Sequence, residues 1–133
     1  MILTVTALYT ALFLLLLLAL ATMVVSKRMR GRVAMGDGNQ APLQQAIRAH
    51  GNAAEYVPIV LIGLAVLENM GTSPAVLHVY GAAFFIARVA HAWGMAQKIT
   101  TNNARKLGIV VTWLVMLLMA VQLLWRVVLQ ATF

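Results

Sequence analysis

Along this chain the apolar residues fall into four long runs broken by short polar stretches. A helix needs about 20 mostly apolar residues to cross a bilayer. The first run starts at Ile2, holds an unbroken apolar block over 12–18, and stops at a basic cluster of Lys27, Arg28, Arg30 and Arg32. Residues 35–42, Met-Gly-Asp-Gly-Asn-Gln-Ala-Pro, carry turn chemistry. Gly, Asp and Asn tolerate left-handed backbone, and Pro42 suits the start of a helix. The second run is polar in its first half and apolar over 57–67, with Pro58 inside it, where a kink is expected. Gly71-Thr72-Ser73-Pro74 is a tight connection, with Ser73 placed to cap and Pro74 at the first helical position. A third run and a fourth follow, separated by a short polar loop over 98–106. The pattern predicts helices over about 2–30, 43–70, 74–97 and 105–130, in a single domain spanning 1–133.

Composition turns four long helices into four membrane spans. Hydrophobic residues make up 62% of the chain and charged residues 10%, against about 25% charged in an average soluble domain. So short a soluble fold has no interior large enough for that much apolar side chain. The expected architecture is therefore all-α and integral to a membrane, an antiparallel four-helix transmembrane bundle. The first run exceeds the length of a signal-peptide h-region and lacks a basic stretch before it, so it reads as a retained helix. There are no cysteines, which excludes disulfides, thiolate metal sites and a cysteine nucleophile. With His50, His78 and His91 as the only histidines, no metal site is expected.

The net charge of +7 suggests nucleic acid at first sight. The cations sit instead at the ends of apolar runs and form no groove-sized stripe, so membrane topology explains them and no nucleic-acid partner is expected. Lys27, Arg28, Arg30 and Arg32 lie in the first loop, and Lys98, Arg105 and Lys106 in or beside the third. The second loop holds none. By the positive-inside rule the first and third loops face the cytoplasm and both termini face the opposite side.

The second helix carries residues that do not belong in oil. Arg48, Asn52 and Glu55 follow i, i+4, i+7 spacing and share one helical stripe. A lipid-facing Arg or Glu at depth costs about 2.5–3.5 kcal/mol on insertion scales, so the stripe must meet other helices or a polar cavity. Two readings stand: a structural one, with Arg48 and Glu55 paired and Asn52 gluing helices, and a site for a polar ligand near the cytoplasmic surface. Arg88 and His91, at i, i+3 on the third helix, form a second polar stripe. A pairing of Arg88 with Glu55 is the expected structural role of that arginine. His91 reads equally as a satisfied interior histidine, and His78 as interfacial. Glu68 and Asn69 read as a solvated helix end, Gln122 and Arg126 as helix glue and a snorkelling anchor. Trp93, Trp113 and Trp125 read as interface belts or packing. Arg28 extends the first helix directly and is within reach of a site.

The run Arg48-Ala49-His50-Gly51-Asn52-Ala53-Ala54-Glu55-Tyr56-Val57-Pro58, followed by Ala87-Arg88-Val89-Ala90-His91, resembles the MAPEG family, the membrane-associated proteins in eicosanoid and glutathione metabolism. The likeness covers nearly the whole chain, and residues 32–38 look like its small bacterial inner-membrane branch. The resemblance implies a homotrimer of four-helix bundles in the bacterial inner membrane, with both termini periplasmic. It implies glutathione bound between subunits near the cytoplasmic surface, and a lipophilic co-substrate arriving laterally from the lipid. Glutathione brings two carboxylates, an ammonium and a thiol. By the resemblance Arg48 clamps a carboxylate with Asn52 adding hydrogen bonds, Glu55 takes the ammonium, and Tyr56, Arg88 and His91 complete the binding set. Arg105 matches the arginine that stabilises the thiolate, which is the nucleophilic form, and Arg28 the arginine on the second-substrate side. The chain departs from several family enzymes at Met95 and Ile109, where tyrosines stand, at His91, a tyrosine in some members, and at Lys106, beside the fourth-helix arginine. The implied function is a glutathione-dependent membrane transferase or peroxidase acting on lipophilic electrophiles or hydroperoxides. The rival is a non-catalytic membrane protein of the same fold that binds lipid or glutathione.

Overall fold

The computed structural model describes residues 2–97 and 102–131. Four helices follow one another: α1 (Thr4–Gly31), α2 (Ala41–Asn69), α3 (Pro74–Ala96) and α4 (Asn103–Ala131). All four are long and apolar enough to cross a membrane. The predicted boundaries hold to within two residues at described ends, and α2 runs through Pro58 as one helix. Lys98, counted with the third loop, lies outside the described residues.

The helix ends show how backbone groups that lack intrahelical partners are satisfied. At the end of α1, Arg32 takes left-handed backbone (φ 53°), and Val33 N–H donates to Arg28 O at 3.0 Å. Gln40 Nε2 donates to Gly31 O at 3.2 Å, and Asn39 N–H donates to Asp37 Oδ1 at 3.0 Å. The predicted turn chemistry of 35–42 is realised in this way. Pro74 begins α3 with Ser73 at the cap position, but the Ser73 side chain makes no capping bond.

Glu68 corrects an expectation. It is not a solvated helix end. Its carboxylate reaches the start of α1 and accepts Val5 N–H at 2.9 Å and Thr6 N–H at 2.7 Å. Leu3, at the N-cap of α1, has no side chain able to do this. A carboxylate at a helix N-terminus satisfies two orphan amides and meets the positive end of the helix dipole. Beside it, Tyr9 O–H donates to His78 O at 3.0 Å, so His78 sits at this exposed end of the bundle. Gln122 does join helices: its Oε1 accepts Tyr80 O–H at 2.8 Å, and its Nε2 donates to Thr72 Oγ1 at 3.2 Å. Arg126 Nη1 donates to Met70 O at 3.3 Å, tying α4 to the end of α2.

The apolar core runs along the α1–α2–α3 contact, with Phe13, Leu64, Leu67, Leu77 and Phe84 fully buried. The Phe13 and Phe84 rings meet at a centroid distance of 4.9 Å. Large apolar side chains remain exposed on the outer faces, among them Leu14, Leu15, Ile86 and Leu124, as a surface solvated by lipid requires. Packing is uneven. α4 lies chiefly on α3, meets α2 only lightly and stands apart from α1. That leaves an open seam between α2 and α4.

Candidate functional site

At the end of the bundle carrying the first and third loops, the α2–α4 seam widens into a cleft of about 350 Å³. α2 contributes Arg48, Asn52 and Tyr56, α3 contributes His91 and Met95, and α4 contributes Arg105, Lys106, Ile109 and Trp113. The α2 residues follow i, i+4, i+8, and so do Arg105, Ile109 and Trp113 on α4. Each set forms one stripe along its helix.

Beneath the cleft lies Arg88, 1% exposed. Its Nη1 donates to Asn52 Oδ1 at 2.7 Å and its Nη2 to Gly108 O at 3.5 Å, while its guanidinium carbon stands 5.4 Å from the centre of the Tyr56 ring. Its Nε has no partner among the described residues. The expected ion pair of Arg88 with Glu55 is not formed. Successive residues are turned by about 100° on a helix, so the stripe that faces the cleft continues from Asn52 to Tyr56 and leaves Glu55 on the exposed side of α2. Asn52 therefore meets Arg88 as helix glue and still lines the cleft. The predicted trio is split: Arg48 and Asn52 are at the site, and Glu55 is outside it.

α3 and α4 approach closely enough to make backbone part of the site. His91 Nδ1 lies 3.0 Å from Arg105 O. A carbonyl only accepts, so Nδ1 carries the proton and, in the neutral ring, Nε2 carries the lone pair. Asn102 Oδ1 accepts Arg105 N–H at 2.9 Å, and Asn102 Nδ2 donates to Gly94 O at 3.0 Å. Asn102 thus caps α4 and pins it to α3, which fixes where Arg105 leaves the helix. Gly108 permits the crossing: a Cβ there would lie 2.6 Å from Ala87 O and 2.7 Å from His91 Cβ.

Electrostatically the cleft is one-sided. Arg48, Arg105 and Lys106 line it above the buried Arg88, and among the described residues no carboxylate does. It can hold a small anion with several acceptor oxygens, or stabilise an anion formed within it. Arg28 does not belong to this cleft. Its Nη1 donates to Ala34 O at 3.3 Å, and it lies with Val25 and Val33 against the first loop. Trp113 is the residue that an interfacial reading missed. Its Nε1 donates to Tyr56 Oη at 3.2 Å, closing the inner end of the cleft. The i, i+8 spacing from Arg105 is the signal that places it there. Asn102, at the cap position of α4, was legible as a cap and equally unused. No cluster of three or more His, Asp or Glu side chains suited to a metal is found among the described residues.

The protein-family model for the MAPEG family matches residues 6–125. The chain is 39% identical over 121 residues to the inner membrane protein YecN of Escherichia coli K12, covering 91% of each chain. It is equally similar to the protein of the same name from Escherichia coli O6:H1. With its four candidate spans and the Arg48–Asn52 and Arg88–His91 motifs on facing helices, the chain belongs to the MAPEG family.

Proposed function

We propose that the protein is a glutathione-dependent transferase or peroxidase of the bacterial inner membrane, acting on lipophilic electrophiles or hydroperoxides. The observation that carries this reading is the carboxylate-free cleft lined by Arg48, Arg105 and Lys106, in a chain with only three acidic residues. Its volume of about 350 Å³ lies at the lower end of small-ligand sites, roughly 300–1,000 Å³. Arg48 and the Nδ2 group of Asn52 bind the carboxylates of glutathione. Arg105 stands near the sulfur and favours the thiolate, as a guanidinium lowers the pKa of a neighbouring thiol. The thiolate displaces a leaving group from an electrophilic carbon. With a hydroperoxide it attacks the distal oxygen, forming an S–O bond as the O–O bond breaks and releasing an alcohol. A second glutathione then displaces water to give the disulfide.

Glu55 takes the ammonium end only if a neighbouring subunit brings it there, which is the part the implied homotrimer plays. Residence in the inner membrane is supported by the name of the Escherichia coli relatives, inner membrane protein YecN. A cytoplasmic placement of the first and third loops is supported by the gathering of Arg28, Arg30, Arg32, Arg105 and Lys106 at one end of an antiparallel bundle.

A second reading, binding of glutathione or lipid without turnover, draws on one observation. Met95 and Ile109 both line the cleft where a hydroxyl would assist thiol activation. Purified protein mixed with glutathione and scanned for thiolate absorbance, then given a chlorinated aromatic acceptor, separates the two. Thiolate and turnover are expected. Binding without either selects the second reading, and no glutathione binding sinks the first and leaves only lipid binding of the second. Arg105→Gln removes the thiolate signal more than it weakens binding, whereas Arg48→Gln weakens binding first.

A further inference from the structure

Lys27, Arg28, Arg30 and Arg32 crowd the end of α1, and none of them lines the cleft. Two depressions lie beside them. One, of about 570 Å³, is a furrow along the outer face of α1, where Leu18, Val25 and Met29 flank the smaller Ala21 and Thr22, and Arg30 closes the end. The other, of about 390 Å³, is a notch where the chain turns back, with Arg28 and Arg32 on one wall and Val33 and Ala34 on the other. Val25 and Met29 line both, so furrow and notch are continuous. Among the described residues no carboxylate lines either. Leu18, Val25 and Met29 follow i, i+7, i+11 and are all exposed. Over that span the furrow runs about 16 Å at 1.5 Å per residue, close to one leaflet of a hydrocarbon core about 30 Å thick.

We propose that furrow and notch together seat one anionic phospholipid, with an acyl chain along α1 and its phosphate among Arg28, Arg30 and Arg32. The notch is preformed: Val33 N–H donates to Arg28 O at 3.0 Å, and Gln40 Nε2 donates to Gly31 O at 3.2 Å, so binding has little backbone to order. Arg28 Nη1 donates to Ala34 O at 3.3 Å. A guanidinium has five N–H donors, so that bond orients Arg28 across the notch and does not use it up. Arg32 carries a second sign in its backbone. It ends α1 in left-handed conformation, φ 53°, a place that glycine fills without strain. Topology and the helix dipole are served by a cation anywhere in the last turn, and neither explains an arginine at this one position. The notch does, because the side chain lines it. A zwitterionic headgroup brings an ammonium among three guanidiniums, so the charge selects a net anionic one, such as phosphatidylglycerol. Basic clusters beside a span attract anionic lipid in general; the furrow turns that attraction into a seat for one molecule.

The test is native mass spectrometry of the full chain in detergent, with equimolar phosphatidylglycerol and phosphatidylethanolamine of identical acyl chains. Bound phosphatidylglycerol is expected to exceed phosphatidylethanolamine by about tenfold or more, as several basic residues act on one headgroup. Arg32→Gly is expected to lower phosphatidylglycerol affinity about fivefold, the worth of one basic residue at an anionic surface. Its melting temperature should hold or rise, since glycine takes the left-handed backbone freely. Lys27 lines neither depression, so Lys27→Gln removes one charge from the same turn and is expected to change affinity by less than about twofold. Thr22 is exposed in the furrow, and Thr22→Phe should weaken both lipids while leaving the preference between them. No preference in wild type overturns the proposal. Equal losses in Lys27→Gln and Arg32→Gly overturn it too, because the attraction is then diffuse. A fall in melting temperature in Arg32→Gly overturns the role given to that arginine. Displacement of the lipid by millimolar glycerol phosphate, or unchanged binding in Thr22→Phe, overturns the seat for the chain. A change of oligomeric size in Thr22→Phe does so as well, by assigning the furrow to a second copy of the chain. None of these readouts involves glutathione, so the result stands or falls apart from the proposed activity.

Discussion

Among the described residues Asn52 is the only side chain that hydrogen-bonds the buried guanidinium of Arg88, and removing its oxygen tests how the site is held together. In Asn52→Leu the volume is kept, but Nη1 loses its 2.7 Å acceptor. What remains is Gly108 O at 3.5 Å and the Tyr56 ring at 5.4 Å. The first is too long to count for much. The second is a cation–π contact of about 0.5–2 kcal/mol that was present before the change. Interhelical hydrogen bonds in membrane proteins reach about 1.7 kcal/mol in double-mutant cycles, and a charged donor belongs at the upper end. Asn52→Leu is therefore expected to cost about 2 kcal/mol, roughly a thirtyfold fall in the ratio of folded to unfolded protein. Arg88→Met alone removes a buried charge for a side chain of similar reach and is expected to be close to neutral, because the desolvation cost disappears with the contact. On that background Asn52→Leu should cost less than about 0.5 kcal/mol, a coupling of about 1.5 kcal/mol. The assay is denaturation by sodium dodecyl sulfate in mixed micelles, followed by tryptophan emission. If Asn52→Leu costs the same with and without Arg88→Met, the bond is not what holds the floor of the cleft, and the reasoning fails.

Three further outcomes follow from particular contacts. Glu68→Leu orphans Val5 and Thr6 N–H together and is expected to lower stability by about 2 kcal/mol, with Glu68→Gln near half that, in the range for lost caps; thermal unfolding in detergent measures both, and equal effects would remove the charge from the explanation. Gly108→Ala pushes a Cβ into Ala87 O and His91, so it should destabilise by about 1–3 kcal/mol as an overpacking change and reduce glutathione affinity in calorimetry; unchanged affinity would show that the α3–α4 crossing does not shape the cleft. Trp113→Phe removes the bond to Tyr56 at an exposed position and should leave stability within about 0.5 kcal/mol while lowering glutathione affinity in calorimetry; a large loss of stability would mark the bond as structural only.

Much of the fold was legible because membrane insertion is close to a local sum. Each span is decided by the apolar content of about 20 consecutive residues, so the four runs, their breaks at the basic cluster and at Gly71-Thr72-Ser73-Pro74, and the antiparallel order could be read without knowing any contact. The same held for Arg48 and Asn52, whose cost in oil demands a polar neighbour whatever that neighbour is. Glu55 lies outside the cleft because i+7 and i+8 lie about 100° apart, and spacing alone does not say on which side of Asn52 the cavity opens.

What the sequence determined by itself was the number of spans, their limits and the need for something polar around helix two. Only the tertiary structure decided which partner each polar group received. Arg88 meets Asn52 across 36 residues, and Glu68 caps α1 across 63. Such bonds depend on how helices rotate and cross, here through Gly108 and the Asn102 cap, and no local sum of transfer energies contains that rotation. The cationic cleft exists for the same reason: α4 leans on α3 and leaves α2 uncovered, a choice made by packing among side chains distant in the chain.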